Sequence, residues 1–134
     1  MIDTNIIISA WLTPQGVVSK LLKRLVSEHK ICICTFSIEE LRRVAGRKFP
    51  DKLKTLDLFL HEFSFEILHT PSALPENLPA ISDASDSPIL ATAMLEDIDI
   101  LLTGDKKLAS TKIDRPQILT PHELYKKQWS TFPA

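Results

Sequence analysis

Four acidic residues, far apart in the chain, could together carry out metal-dependent chemistry. They follow predicted strands or lie on the neighbouring helices: Asp3, Glu40, Asp86 and Asp105. Two carboxylates about 4 Å apart repel by roughly 4 kcal/mol at an effective dielectric of 20, so such a cluster either keeps a proton or binds a cation. Ligands that are all oxygens favour Mg²⁺ or Mn²⁺ over zinc. Because such an ion activates water and screens charge on phosphate oxygens, the residues predict hydrolysis of a phosphodiester.

These acids can meet only if the chain folds as alternating strands and helices. Apolar runs predict strands over residues 1–4, 30–34, 64–68, 98–105 and 116–119. Apolar residues at helical spacing predict helices that start near Pro14, over 37–47, over 52–62, over 88–97 and from His122. Strands that alternate with helices predict a mainly parallel sheet covered on both faces. Ligands bind beyond the carboxyl ends of such strands, which is where the acids follow.

The composition predicts one folded domain over residues 1–134. Hydrophobic residues make up 44% of the chain and charged residues 25%, which excludes a disordered or fibrous protein. No apolar run approaches the roughly 20 residues that span a bilayer, and no signal peptide is present, so we expect a cytoplasmic protein without a membrane partner. Cys32 and Cys34 share one face of a predicted strand, and we expect buried thiols.

The charge is unevenly distributed although the net charge is only −1. Residues 20–48 hold eight Lys or Arg against three acids, and residues 49–105 hold eleven acids against two Lys. Four basic residues after the second predicted strand could line an RNA path: Arg42, Arg43, Arg47 and Lys48. The same residues on a solvent-facing helix would need no function, and the sequence favours neither interpretation.

Several candidate residues also have a purely structural interpretation. Glu40 could complete a capping box that begins at Ser37, Asp86 could cap the helix at Pro88, and Asp105 could be a turn residue. Asp3 is the hardest to explain this way, because a charge within an apolar segment is costly unless it is paired. Asp83 belongs to the site or only to its loop. Trp11 and Phe36 could stack on bases, but packing in the core or at an interface is the favoured interpretation of both.

The motifs around the four acids resemble those of the PIN domain family. Asp3 stands in DTN, Glu40 in SIEELRRV, Asp86 in DSPILATA and Asp105 in LLTGDKKL. The similarity extends from Met1 to about Leu124 and is strongest to short stand-alone members that are toxins of type II toxin-antitoxin systems (VapC-like). It implies a three-layer α/β/α sandwich with a five-stranded parallel sheet in the order 3-2-1-4-5. Only Met1 and Ile2 precede Asp3, so we expect the first strand to be short.

The same resemblance implies an activity, a cofactor and partners. It implies Mg²⁺- or Mn²⁺-dependent cleavage of single-stranded RNA, with all four acids as catalytic and metal-binding residues. Asn5 and Thr103 would orient the carboxylates. A small antitoxin protein is the expected partner, and a homodimer is compatible with the apolar helices. A catalytically weak or inactive protein-binding module is the alternative function. An aspartyl phosphatase would need an acid where Asn5 stands, and no receiver-type pattern of acids is present.

Overall fold

The computed structural model describes residues 1–129, in which short strands alternate with helices. The strands are β1 (Cys32–Cys34), β2 (Glu66–Leu68), β3 (Ile100–Leu102) and β4 (Gln117–Leu119). The helices are α1 (Thr4–Leu12), α2 (Val17–Glu28), α3 (Thr35–Lys48), α4 (Leu53–Glu62), α5 (Ser87–Leu95), α6 (Lys106–Ala109) and α7 (Pro121–Trp129). Two 3₁₀ turns span Pro50–Lys52 and Ala84–Asp86. The predicted α/β class is confirmed.

The strands form two separate parallel ladders that the first residues of the chain connect. β1 pairs with β2, and β3 pairs with β4. The Ile2 amide donates to the Cys32 carbonyl at 3.0 Å, and the Asp3 amide donates to the Leu102 carbonyl at 2.9 Å. Ile2 and Leu102 form an isolated parallel bridge. Residues 1–3 therefore lie between the ladders and carry Asp3 to the ends of β1 and β3.

This arrangement differs from the predicted continuous sheet of five strands in the order 3-2-1-4-5. Each strand is three residues long, and the described residues contain two two-stranded sheets. The predicted strand over residues 1–4 is reduced to one bridge, because helix α1 begins at Thr4 with Asp3 as its N-cap. The helix expected from Pro14 begins at Val17, after a turn. The strand expected over residues 98–105 ends at Leu102, and the polar residues beyond it form the loop that leads to α6.

Helices cover both faces of this extended layer. Neighbouring residues alternate between two apolar clusters: Met1, Cys32, Leu101 and Ile118 join helices α5 and α6, whereas Ile2, Ile33, Leu102 and Leu119 join helices α1 to α4 and α7. Period-2 alternation sends successive side chains to opposite faces, so the extended segments lie between two layers of helices. The free thiols of Cys32 and Cys34 are buried, as predicted. Across residues 1–129, every helix is too short or too polar to cross a lipid bilayer.

Candidate active site

Asp3 is a buried carboxylate held by two neighbours. Its side chain is 3% exposed. Oδ1 accepts a hydrogen bond from the Thr4 amide at 2.7 Å, and Oδ2 accepts one from the Thr103 hydroxyl at 2.7 Å. Burial raises the pKa of Asp3; the two hydrogen bonds oppose this rise, and the charges of Glu40 and Asp105 add to it. Both partners of Asp3 are uncharged, so this carboxylate is hydrogen-bonded without being neutralised.

The loop after β3 connects Asp3 to Asp105. The Thr103 hydroxyl that donates to Asp3 also accepts a hydrogen bond from the Asp105 amide at 3.1 Å. The Asn5 side-chain oxygen accepts one from the Gly104 amide at 3.0 Å. Asn5 thus contacts the backbone of the loop and not a carboxylate, whereas Thr103 contacts Asp3 directly. Together the two residues fix the loop against the first turn of α1.

Asp105 has a structural role that occupies only one of its oxygens. As the N-cap of α6, its Oδ1 accepts hydrogen bonds from the amides of Lys107 and Leu108, at 2.9 and 3.4 Å. The local interpretation of Asp105 therefore holds, in the form of a helix cap. Oδ2 accepts no hydrogen bond within residues 1–129, and it remains available to an ion or a water molecule.

Asp86 differs from Asp105 because its carboxylate does not cap the helix that follows. It precedes α5 and makes no side-chain capping hydrogen bond. Burial is the largest cause that raises its pKa, to about 6, and the charges of Asp3, Asp83, Asp105 and Glu40 raise it further. All four predicted acids are therefore electrostatically coupled. Asp86 is a charged group without a local structural function.

Asp83 and Glu40 complete the acidic group in different ways. Asp83 is exposed and accepts a hydrogen bond from the Ser85 amide at 3.0 Å, which lowers its pKa and stabilises the turn before α5. Glu40 lies in the second turn of α3, 3.8 Å from the Arg43 guanidinium. The capping box is not observed, because α3 begins at Thr35 and Ser37 contacts the Cys34 thiol instead.

The candidate residues are of the type that binds a hard divalent ion. They do not, however, form a complete set of ligands around one position. All four candidates are carboxylates, and Asp105 has an oxygen without a hydrogen bond. Within residues 1–129, however, no three Asp, Glu, His or Cys side chains are grouped closely enough to hold a metal ion by themselves. The fold brings the acids to one end of β1 and β3 without bringing their oxygens into contact.

A cavity of about 450 Å³ opens beside these acids. Three acids, Asp83, Asp86 and Asp105, line it together with Lys106 and Lys107. The two lysines were not among the predicted site residues. The signal available in the sequence was their position directly after Asp105.

Two of the four basic residues that were predicted to line an RNA path face acidic side chains. The Arg42 guanidinium forms an ion pair with Asp57 of α4 at 2.8 Å, and Arg43 approaches Glu40. Arg47 and Lys48 are exposed in the last turn of α3. Trp11 is buried, and its indole N–H donates to the Thr55 hydroxyl at 3.2 Å, so it belongs to the core.

Two further residues have local roles. Phe36 packs partly buried against the cluster under α5. Asp99 is exposed just before β3 and pairs with Arg115 at 2.6 Å.

Comparison with known proteins gives a consistent family and fold. The family model described as the PIN domain matches residues 1–107. The crystal structure of VapBC2 from Rickettsia felis, bound to a DNA fragment from the promoter, contains a chain of the same fold with a TM-score of 0.68. That chain is 22% identical in sequence, and the alignment covers 90% of this chain and 95% of that one. No curated protein matches the sequence significantly. The predicted resemblance is thereby confirmed, and this chain belongs to the PIN domain family.

Proposed function

We propose that this protein is a Mg²⁺- or Mn²⁺-dependent endoribonuclease that cleaves single-stranded RNA. The observation that carries the proposal is that the fold brings the carboxylates near one another. The Thr103 hydroxyl connects Asp3 to the loop that carries Asp105. Burial raises the pKa of Asp86, and the charges of Asp3, Asp83, Asp105 and Glu40 raise it further. A fold gains nothing from holding such charges together unless a cation or a substrate uses them. Membership of the PIN domain family supports the same conclusion.

Each residue has a defined role in this proposal. Asp3, Glu40, Asp86 and Asp105 hold the ion, directly or through water. The bound ion supplies a more acidic water and screens charge on the phosphate oxygens. Thr103 and the Thr4 amide fix the Asp3 carboxylate, and Asn5 holds the loop that carries Asp105. Asp86 is our candidate for the group that accepts the proton of the attacking water, because its oxygens cap no helix.

The proposed biological role is that of a VapC-like toxin in a type II toxin-antitoxin pair in the cytoplasm. The structural neighbour VapBC2 is a complex bound to promoter DNA, and by analogy we propose a small antitoxin protein as the partner here. The homodimer remains a prediction. So does the sheet order 3-2-1-4-5, which the hydrogen bonds of residues 1–3 to both ladders support. Among the basic residues, we retain Arg47 and Lys48 as RNA contacts, because Asp57 engages Arg42 and Glu40 engages Arg43.

A cleavage assay with metal titration tests the proposal. Purified protein is incubated with structured and unstructured RNA over a Mn²⁺ or Mg²⁺ series, and cleavage is followed on gels. We expect cleavage of the unstructured RNA that depends on the ion and stops with a chelator. The double variant Asp3→Asn, Asp105→Asn should lose cleavage, whereas the exposed Asp51→Asn should retain it. Cleavage that persists in the double variant would show that the assigned residues are not the active site.

The second candidate is a protein-binding module with little or no catalysis. The absence of a ready-made metal group in residues 1–129 favours it. Calorimetric titration with Mn²⁺ separates the two functions. Heat of binding in the wild-type chain that disappears in the double variant supports the nuclease, whereas no binding at millimolar ion supports the module.

A further inference from the structure

The cavity beside the acids is lined by side chains of both charges that do not pair with each other. Lys106 and Lys107 line it together with Asp86 and Asp105. Within residues 1–129, neither lysine forms an ion pair, and both are exposed. Both ammonium groups are therefore available to an anionic ligand at this cavity.

The local backbone keeps the two lysines beside the carboxylates. Asp105 caps α6 by accepting the Lys107 amide, so the lysines and this acid are consecutive residues in one short hydrogen-bonded unit. The Thr103 hydroxyl attaches the same unit to Asp3. These hydrogen bonds hold the backbone of the two lysines close to Asp105 and Asp3. The flexible part of each lysine is its long side chain.

A phosphodiester backbone carries the negative charges that two unpaired ammonium groups can bind. One phosphate could approach an ion held by the carboxylates while its neighbour meets an ammonium group of Lys106 or Lys107. Arg42 and Arg43 of α3 are less suited to this task, because they already face Asp57 and Glu40. Lys106 and Lys107 are the basic residues that line the same cavity as the acids.

We propose that Lys106 and Lys107 bind backbone phosphates of single-stranded RNA next to the bond that is cleaved. The proposal rests on the proposed function for its substrate, but RNA binding can be measured without cleavage. Lysine acts on phosphate as a point charge and not as a planar, bidentate ligand. The contribution to affinity should therefore be independent of base sequence and sensitive to salt.

A binding experiment with a matched control tests the proposal directly. The probe is a fluorescein-labelled 12-nucleotide oligouridine, and its anisotropy is measured in EDTA at 25 to 200 mM KCl, with gels to verify that the RNA stays intact. The double variant Lys106→Gln, Lys107→Gln is compared with Lys112→Gln, Lys126→Gln, which removes the same charge from exposed positions outside the cavity.

We expect the cavity variant to bind roughly tenfold more weakly at low salt, with a salt slope shallower by about 1.4, since each lost phosphate contact on a single strand contributes ~0.7. The control variant should stay within about twofold of wild type. The variant Lys106→Arg, Lys107→Arg should bind as wild type does, and an unchanged melting temperature verifies that each variant is folded. Equal affinity and slope in the two Gln variants would overturn the proposal, as would a wild-type chain that does not bind the RNA.

A cleavage assay separates this proposal from the proposed function. If the chain is a ribonuclease, the cavity variant should show a raised KM with a nearly unchanged kcat. If the wild-type chain cleaves no RNA with Mn²⁺ but the difference in binding and in salt slope is observed, the ribonuclease proposal fails while the phosphate site stands. Cleavage with the same KM in both Gln variants would overturn the lysine site alone.

Discussion

Asp3 shows how much of this site depends on single hydrogen bonds. Its carboxylate is buried, both of its partners are neutral, and one of them is a side chain 100 residues away in the sequence. Hydrogen bonds to a charged group are worth more than those between neutral groups, and they cost more when one partner is removed. Thr103 is therefore a residue whose hydroxyl, rather than its size, matters for the fold.

Replacing Thr103 by Val should destabilise the metal-free protein by about 1 to 3 kcal/mol at pH 7, because the shape is retained while the charged Asp3 loses a donor. Urea unfolding followed by circular dichroism measures this loss. Thr111→Val is the control, since the Thr111 side chain makes no hydrogen bond within residues 1–129. Equal stability of the two variants would mean that the hydroxyl of Thr103 does not support Asp3.

Asp86 gives the opposite prediction, because its negative charge destabilises the folded protein. Its pKa in the folded chain is about 6, above the ordinary value of 3.8, so the folded state binds the proton more tightly than the unfolded state. Asp86→Asn should therefore raise the melting temperature of the metal-free protein at pH 7. Solvent screening limits the gain to about 1 kcal/mol.

The pH dependence of that difference checks its cause. The advantage of Asn over Asp should be complete well above pH 6 and should shrink as the pH falls below 6. It should vanish only below pH 3.8, where Asp86 is protonated in both states. Melting curves of wild type and variant from about pH 3 to 8 measure it, with Asp51→Asn as the control. A fall in melting temperature at pH 7 would instead assign a capping role to Asp86.

At the scale of elements, helix starts position the acids more than strands do. Each strand has three residues, whereas Asp3 caps α1, Asp105 caps α6, and Asp86 directly precedes α5. A helix N-cap has a fixed relation to the first turn, because its side chain accepts the free amides there. The acidic site is thus held mainly at the points where extended chain becomes helix.

The starts of the helices are also where the prediction from the sequence differs from the structure. The run Ile6-Ile7-Ile8 is typical of a strand, since β-branched residues favour extended chain, but α1 forms because Asp3 caps it and Ile6, Ile7 and Ala10 are buried at helical spacing. Strong periodicity predicted α2 and α4 to within a few residues. The order of the motifs predicts which acids form the candidate site, and that assignment stays a prediction. The distances between these acids could not be predicted, because they depend on tertiary hydrogen bonds that no local pattern encodes.

Helix α4 contains a buried leucine and an exposed leucine, and variants of the two together test the packing of the larger apolar cluster. Leu56 is 0% exposed and Leu58 is 70% exposed, on the same helix. Leu56→Ala should cost about 2 to 5 kcal/mol of unfolding free energy, since it leaves a cavity, whereas Leu58→Ala should stay within about 0.5 kcal/mol. Urea denaturation of both variants measures the difference, and comparable losses would show that α4 packs differently.

For the whole molecule, a divalent ion should act as a ligand of the folded state. An ion that binds only the folded chain stabilises it by about 2.7 kcal/mol at 100 times its dissociation constant. Mn²⁺ should therefore raise the melting temperature of the wild-type chain, and a chelator should reverse the rise. The variant Asp3→Asn, Asp105→Asn should show no such rise, and an equal shift in both proteins would place the ion elsewhere.

The hydrogen bond between Thr103 and Asp3 has a consequence during synthesis. In a polypeptide that is still emerging from the ribosome, Asp3 is synthesised long before Thr103, whose hydroxyl donates to it, and before Asp105. If the chain cuts RNA as proposed, a nascent copy that has not yet reached Asp105 would be unable to cut the message that is being translated. Activity would then have to wait until Thr103 and Asp105 have been synthesised and have folded against Asp3.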